Sequence, residues 1–285
     1  MLAPIIQPKE LLLLKQSDEN FILIDAYGGG KQPYLSKHLD GAYFVDLEAD
    51  LSVAVANPAN GGRHPLPDPK VFAATISKLG IGPKTHVVIY DDKNGANAAA
   101  RFWWMLRAIG YENVQVLNGG FNAALNIGFP SNADIKTPRP VKIDTSISEW
   151  QLPLVSMDEV KVASETRHTP IIDVRAKERF DGIVEPLDLI AGHIPNAINV
   201  PLTENLDEFG GFKNPILLRE KYESLFENLD SKNIIVHCGS GVTACHTLLA
   251  FDYAGLPIPN LYVGSWSEWS RSGNEMILST NQSSN

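Results

Sequence analysis

The chain is written twice, and that repetition constrains its fold more than any other feature. Phe21-Ile22-Leu23-Ile24-Asp25 is answered by Pro170-Ile171-Ile172-Asp173, and Lys37-His38-Leu39-Asp40-Gly41-Ala42 by Gly192-His193-Ile194-Pro195-Asn196-Ala197. His86-Val87-Val88-Ile89-Tyr90-Asp91 is answered by Asn233-Ile234-Ile235-Val236-His237-Cys238. Val116-Leu117-Asn118-Gly119-Gly120-Phe121 is answered by Leu261-Tyr262-Val263-Gly264-Ser265-Trp266. The offset stays at about 147 residues, apart from an insertion of about seven near His193, so one supersecondary unit occurs in two copies.

Within each copy short apolar runs alternate with stretches of helical spacing. That pattern predicts an α/β fold, each copy a mainly parallel sheet flanked by helices. Helices are expected over 71–79, 96–109, 157–165 and 242–253. Residues 129–154 carry four prolines and little periodicity, the mark of a connecting segment laid along a surface. The expected division is a first domain over 1–130, a linker over 131–154 and a second domain over 155–278. A polar, disordered tail over 279–285 completes it. A length of 285 residues suits two domains better than one.

Composition removes several function classes. A formal net charge of −9 argues against a nucleic-acid surface and against a polybasic membrane patch. The apolar block at Leu11 to Leu14 is too short for a signal peptide, and no run approaches a membrane span. Two cysteines cannot build a disulfide framework, so a cytoplasmic setting is expected. His237, Cys238, Cys245 and His246 do not read as a metal site either. An intervening helix would separate the two halves by about 10 Å of rise.

One turn carries chemistry. In Val236-His237-Cys238-Gly239-Ser240-Gly241-Val242-Thr243-Ala244 a cysteine stands where an apolar strand stops and a helical pattern starts. Backbone N–H groups without helical partners surround such a position and favour an anion. A free cysteine is only about 3% thiolate at neutral pH, and a pKa near 7 asks for about 2 kcal/mol of preference for the anion. A helix terminus contributes about 0.3–1 kcal/mol in most settings and about 2 at best. Charge-assisted bonds from loop amides add to it. A thiol so placed is a competent nucleophile without a histidine base. The alternative, a buried structural thiol, is poorly served by Gly-Ser-Gly. The first copy has Asp91 at the matching position and is expected to be an inactive scaffold.

Taken together, Asp173-Val174-Arg175, Glu178-Arg179-Phe180, Gly192-His193-Ile194-Pro195, Cys238-Gly239-Ser240-Gly241-Val242-Thr243 and Gly264-Ser265-Trp266-Ser267-Glu268-Trp269 resemble the tandem rhodanese-type sulfurtransferases. The cysteine loop is most like that of the 3-mercaptopyruvate sulfurtransferases, and the resemblance covers residues 11–269. It implies two rhodanese-like domains, the second catalytic, in which Cys238 becomes a persulfide. The outer sulfur then passes to a thiol acceptor, such as thioredoxin or a small thiol, or to cyanide. No cofactor or metal is implied. The amides of Gly239, Gly241, Val242 and Thr243 are expected to hold the sulfur anion.

Donor preference follows from charge. Thiosulfate is a dianion and gains from cations beside the sulfur, whereas Gly239 and Ser240 are neutral and suit a mono-anionic α-keto acid thiol such as 3-mercaptopyruvate. Arg179 matches the family's substrate arginine, and Arg101 matches one that faces the site from the first domain. A guanidinium suits either task, being always charged and bidentate towards carboxylates. One departure stands out. Where many mercaptopyruvate enzymes carry a second arginine in a Glu-Pro-Arg context, this chain has Glu185-Pro186-Leu187, leaving Arg101 or Arg63 to replace it. His64, with Glu48, matches a histidine and its acidic partner near the loop. A Glu48–His64–Ser240 relay is therefore expected to move the proton.

Other readings are weaker. Thiosulfate:cyanide transfer on the same scaffold is the alternative, followed by a non-catalytic sulfur-binding module. A Cys-x5-Arg phosphatase would need its arginine at Ala244. Gly28-Gly29-Gly30-Lys31 lacks the spacing and the hydroxyl residue of a phosphate loop.

Overall fold

The structure is a computed structural model that describes residues 2–17, 20–143, 147–226 and 233–278; the expected tail over 279–285 lies outside them. Two compact units emerge. One comprises Met1–Val53, Leu66–Leu152 and Asp207–Phe212, the other Ala54–Pro65, Pro153–Leu206 and Lys213–Asn285. The stretch Ala54–Pro65, which the repeat assigns to the first copy, therefore packs with the second unit.

The first unit holds β1 (Ile5–Ile6), β2 (Phe21–Tyr27), β3 (His38–Leu39), β4 (Tyr43–Asp46), β5 (His86–Tyr90), β6 (Val114–Leu117) and β7 (Ser131–Asn132). Its main sheet runs β1-β6-β5-β2-β4, parallel throughout, and β3 pairs antiparallel with β7. The second unit holds β8 (Ile171–Asp173), β9 (Ala197–Asn199), β10 (Ile235–His237) and β11 (Asn260–Leu261) in the parallel order β11-β10-β8-β9. Strand for strand this repeats β6-β5-β2-β4. Even β1 has a remnant, a single parallel bridge from Leu154 to Leu261.

Near-continuous apolar runs such as Ile22-Leu23-Ile24 and Ile234-Ile235-Val236 make sense in strands covered on both faces. The helices over Ala99–Ala108 and Ala244–Tyr253 are buried along almost their whole length. Small residues at Ala98, Ala99, Ala100 and Ala244 are fully enclosed. Both helices start later than their periodicity suggests, at 99 rather than 96 and at 244 rather than 242. Gly95 (φ +85°) and Gly241 (φ +72°) stand in the left-handed region and hold the preceding turns open. Helices over Pro69–Lys78 and Met157–Thr166 agree closely with expectation; Asp68 caps the first and a Ser156–Glu159 capping box starts the second. Beyond β7, residues 133–143 follow no regular element but stay with the first unit, Val141 N–H donating to the Ser77 carbonyl and Gln151 N–H to the Ala108 carbonyl.

Candidate active site

Cys238 is the first residue beyond β10, at the carboxyl edge of a parallel sheet, where open α/β sheets place their ligands. It is buried, 1% exposed. Its N–H donates to Ser265 Oγ (3.2 Å) and its carbonyl accepts from Trp266 N–H (3.1 Å). Gly239 accepts from Ser267 N–H (2.9 Å). A Cβ on Gly241 would stand 2.5 Å from the Val263 carbonyl, so sterics as well as φ demand glycine. The Val242 and Thr243 carbonyls accept the first bonds of the following helix. Both cysteines are free thiols.

The first copy shows what such a turn can hold. Asp91, one residue beyond β5, accepts four backbone N–H groups: Lys93 (2.9 Å) and Gly95 (2.8 Å) on Oδ1, Asn97 (2.9 Å) and Ala99 (3.2 Å) on Oδ2. Burial raises its pKa, and those donors pull the other way. In the first copy, then, a turn of amides surrounds a side-chain acceptor at the position where the second copy has a thiol.

The Ser240 hydroxyl lies 2.8 Å from His64 Nδ1. His64 comes from the stretch that packs with the second unit, and the Gly-Ser-Trp-Ser-Glu-Trp motif holds it there. Gly61 N–H donates to Glu268 Oε1 (2.8 Å), and Tyr262 OH fixes Glu268 Oε2 (2.8 Å). Arg63 N–H donates to Ser267 Oγ (3.1 Å). Gly62, at φ +83°, sits where a Cβ would be 2.5 Å from the Gly264 carbonyl.

A chain of ion pairs lies beside the turn. Asp173 takes Arg175 on both oxygens. Burial opposes the Asp173 anion, but the charged groups beside it outweigh burial and lower its pKa. His237, 3.7 Å away, is itself held neutral by burial, which leaves Arg175 as the cation at neutral pH. Arg175 also reaches Glu185 (3.3 Å), and Glu185 binds Arg179 through two bonds of 3.1 and 2.6 Å. Burial resists that anion too, and the Arg179 bonds with the Leu187 and Asp188 amides prevail, lowering its pKa. Asp188, its side chain fully buried, pairs with Arg63 (2.9 Å), Arg271 (2.8 Å) and Arg179 (3.5 Å).

The structure thus brings together Cys238, Ser240, His64, Arg179 and the Gly239–Thr243 turn. Leu187 is 60% exposed and carries no charge to the cluster. Glu48 lies in the first unit, where its N–H donates to Asp46 Oδ1 (2.9 Å) and its carboxyl leans on Asp46 and the Gly29 amide. Arg101 is fully buried in the same unit and donates to the Leu51 carbonyl (3.4 Å). Asp188 and Arg271 escaped sequence reasoning because neither belongs to a motif. Ser267 and Glu268 lay inside one, but nothing local revealed what they hold. Among the described residues no group of three or more His, Cys, Asp or Glu is arranged for a metal ion, and no helix is long and apolar enough to cross a membrane.

Comparison with known proteins agrees with this geometry. The rhodanese-like domain model matches twice, over residues 7–126 and 156–272. A protein of Pseudomonas aeruginosa described as a probable 3-mercaptopyruvate sulfurtransferase is 38% identical over 273 residues, spanning 94% of this chain and 92% of that protein. Thiosulfate sulfurtransferase of Bos taurus is 35% identical, over 84% of this chain and 79% of its own length. Among solved structures, SseA of Escherichia coli, a 3-mercaptopyruvate sulfotransferase, superposes with a TM-score of 0.76 at 32% identity. That match covers 94% of this chain and all of that one. The chain belongs to the rhodanese-like family, with two copies of the domain in tandem.

Proposed function

We propose that the chain is a sulfurtransferase that takes sulfur from 3-mercaptopyruvate onto Cys238 and passes it to a thiol or to cyanide. The observation that carries this reading is the convergence beside Cys238 of a histidine-bonded hydroxyl, Ser240, and a guanidinium, Arg179. In the first step the Cys238 thiolate attacks the donor sulfur. An S–S bond forms, the donor C–S bond breaks, and its electron pair goes to carbon as the enolate of pyruvate. The proton that leaves the donor thiol passes through Ser240 and His64 and returns at the enolate carbon. Amides of the Gly239–Thr243 turn hold the terminal sulfur anion. In the second step an acceptor thiolate, or cyanide, attacks the outer sulfur, the S–S bond breaks, and Cys238 leaves as thiolate. Such two-step covalent transfer is ping-pong.

The acceptor we favour is a dithiol such as thioredoxin or a small thiol, and the setting a reducing cytoplasm, in which two free thiols persist. The test is the ratio of kcat/KM for 3-mercaptopyruvate and for thiosulfate, with cyanide as common acceptor. A ratio well above one is expected. A ratio below one assigns the chain to thiosulfate transfer, the reading favoured by the bovine relative.

A further inference from the structure

The most exposed large aliphatic side chains among the described residues are Leu189, at 75%, and Ile183, at 70%. Both lie on one short segment, with Leu187 at 60% and Val184 at 48% between them. Single exposed aliphatics are ordinary on a protein surface, but four within the stretch 183–189 are not scattered. Nor is the segment slack. The N–H groups of Ile183 (2.9 Å) and Val184 (3.2 Å) donate to the Glu178 carbonyl, and those of Leu187 (3.0 Å) and Asp188 (3.1 Å) to Glu185 Oε1. Trp266 Nε1–H donates to the Ile190 carbonyl (2.8 Å) and pins the far end. The segment therefore has two faces. Inward it sends Glu185 and Asp188, whose buried carboxylates hold Arg179. Arg179 in turn lies at the residue after Cys238, where a Cβ built on Gly239 would stand 3.3 Å from its Nη2. Outward it shows Ile183, Val184, Leu187 and Leu189, held in place by folding without being buried by it.

We infer that this apolar ridge is the docking surface for a protein acceptor of the Cys238 sulfur, a small dithiol protein whose reactive thiol stands in an apolar surround. This rests on the sulfurtransferase reading above and assigns the acceptor's part in it. The ridge is continuous with the site, since the acids that alternate with its side chains are the ones that hold Arg179 at the turn. Side chains 60–75% exposed stand on a convex surface, whereas small ligands are gripped in concave pockets that cover most of them. Cyanide or a small thiol therefore gains nothing from the ridge, and a protein does. Four aliphatic side chains also fall well short of the roughly 800 Å² per partner that a stable complex or dimer buries. The contact is transient, as two-step transfer demands of an acceptor that leaves after each turnover. Cys238 is 1% exposed, so only a thiol that projects from its protein reaches it. On the docked protein one thiolate attacks the outer sulfur, the S–S bond breaks, and Cys238 leaves as thiolate. The acceptor's second thiol gives its proton to the transferred sulfur, displaces it as hydrosulfide and closes a disulfide, so the dithiol supplies both electrons.

The test is sulfur transfer from 3-mercaptopyruvate to thioredoxin, kept reduced by its reductase and NADPH and read as hydrosulfide release. Cyanide and dithiothreitol serve as small acceptors in parallel. Wild type is compared with Ile183→Ser, Leu189→Ser and the two combined. Ile216→Ser is the control, since Ile216 is comparably exposed (65%) on the helix over Pro215–Leu225. The double variant is expected to raise the KM for thioredoxin about tenfold or more, with kcat within about twofold. Its constants for cyanide and dithiothreitol, and all constants of Ile216→Ser, should stay within about twofold of wild type. Cyanide turnover also reports that the variants fold. An unchanged thioredoxin KM, an equal loss with cyanide, or a wild type that serves dithiothreitol but not thioredoxin each overturns the docking surface and leaves the sulfurtransferase reading standing. A wild type that sediments as a dimer, with the double variant a monomer, also overturns it and gives the ridge to a second copy of the chain. If 3-mercaptopyruvate loads no sulfur on Cys238, the donor reading falls alone, and the same acceptor comparison is decided with thiosulfate as donor. A chain that takes sulfur from neither donor overturns the sulfurtransferase reading and the docking surface together.

Discussion

Asp25 and Asp173 stand at the same place in the two copies and titrate in opposite directions. Asp173 is followed two residues later by Arg175, which binds both its oxygens. Asp25 has Tyr27 there instead. Burial, with the charges of Asp91 and Asp92, pushes its pKa up to about 7, against one hydrogen bond from Tyr90 (3.1 Å). The consequences for stability have opposite signs. Asp25, raised in the folded state, favours folding fully below about pH 4, and the benefit fades as pH rises through 7. Asp25→Asn should therefore raise Tm at pH 8, with a gain that vanishes towards pH 4 in thermal melts; a gain independent of pH contradicts this assignment. Asp173, lowered in the folded state, favours folding above its unfolded pKa and loses that as pH falls through the folded value. Asp173→Asn takes from the buried Arg175 the carboxylate that binds it on both oxygens, leaving it Glu185 and the Gly192 carbonyl, and should cost about 3 kcal/mol at neutral pH in urea melts. Ser240→Ala and His64→Ala should each lower kcat about 100-fold, and the double variant no further, since one proton path uses both. Additive losses would separate their roles.

The element that matters most is the segment 61–64, held against 264–268. Its contacts join residues 204 and 207 apart in sequence, which is why no local pattern could reveal them. The strands were legible because buried parallel strands leave continuous apolar runs, and the repeat fixed their equivalence. The helix starts were less so. Gly95 and Gly241 spoil no periodicity, yet their positive φ values delay the helix by two or three residues. His64 could be named from the sequence by resemblance alone. What brings it to Ser240 is Glu268 and Ser267, whose duties lie in three dimensions. Gly62→Ala tests this element: strain at φ +83° with a Cβ against the Gly264 carbonyl should cost roughly 2 kcal/mol. By displacing Arg63 and His64 together, it should lower kcat/KM for the donor by about 100-fold. Retention of full activity would mean that the segment is not part of the site.

At the scale of the whole molecule, one fold is used twice with one exchange at its most exacting position: a carboxylate in the first turn, a thiol in the second. That asymmetry was readable from Asp91 against Cys238, but the ion-pair chain beside the thiol was not. Asp188 and Arg271 lie in segments with no motif, and their meeting with Arg63 depends on tertiary packing. A single thiol visited first by donor and then by acceptor predicts parallel double-reciprocal plots, and intersecting plots would require both to bind at once. The most direct measurement is the mass of the protein, and of its Cys238 peptide, after brief exposure to 3-mercaptopyruvate and removal of excess donor. The expected result is a gain of one sulfur atom on Cys238, released as thiocyanate when cyanide is added. No gain, or a gain on Cys245 instead, would contradict the assignment of Cys238 as the sulfur carrier.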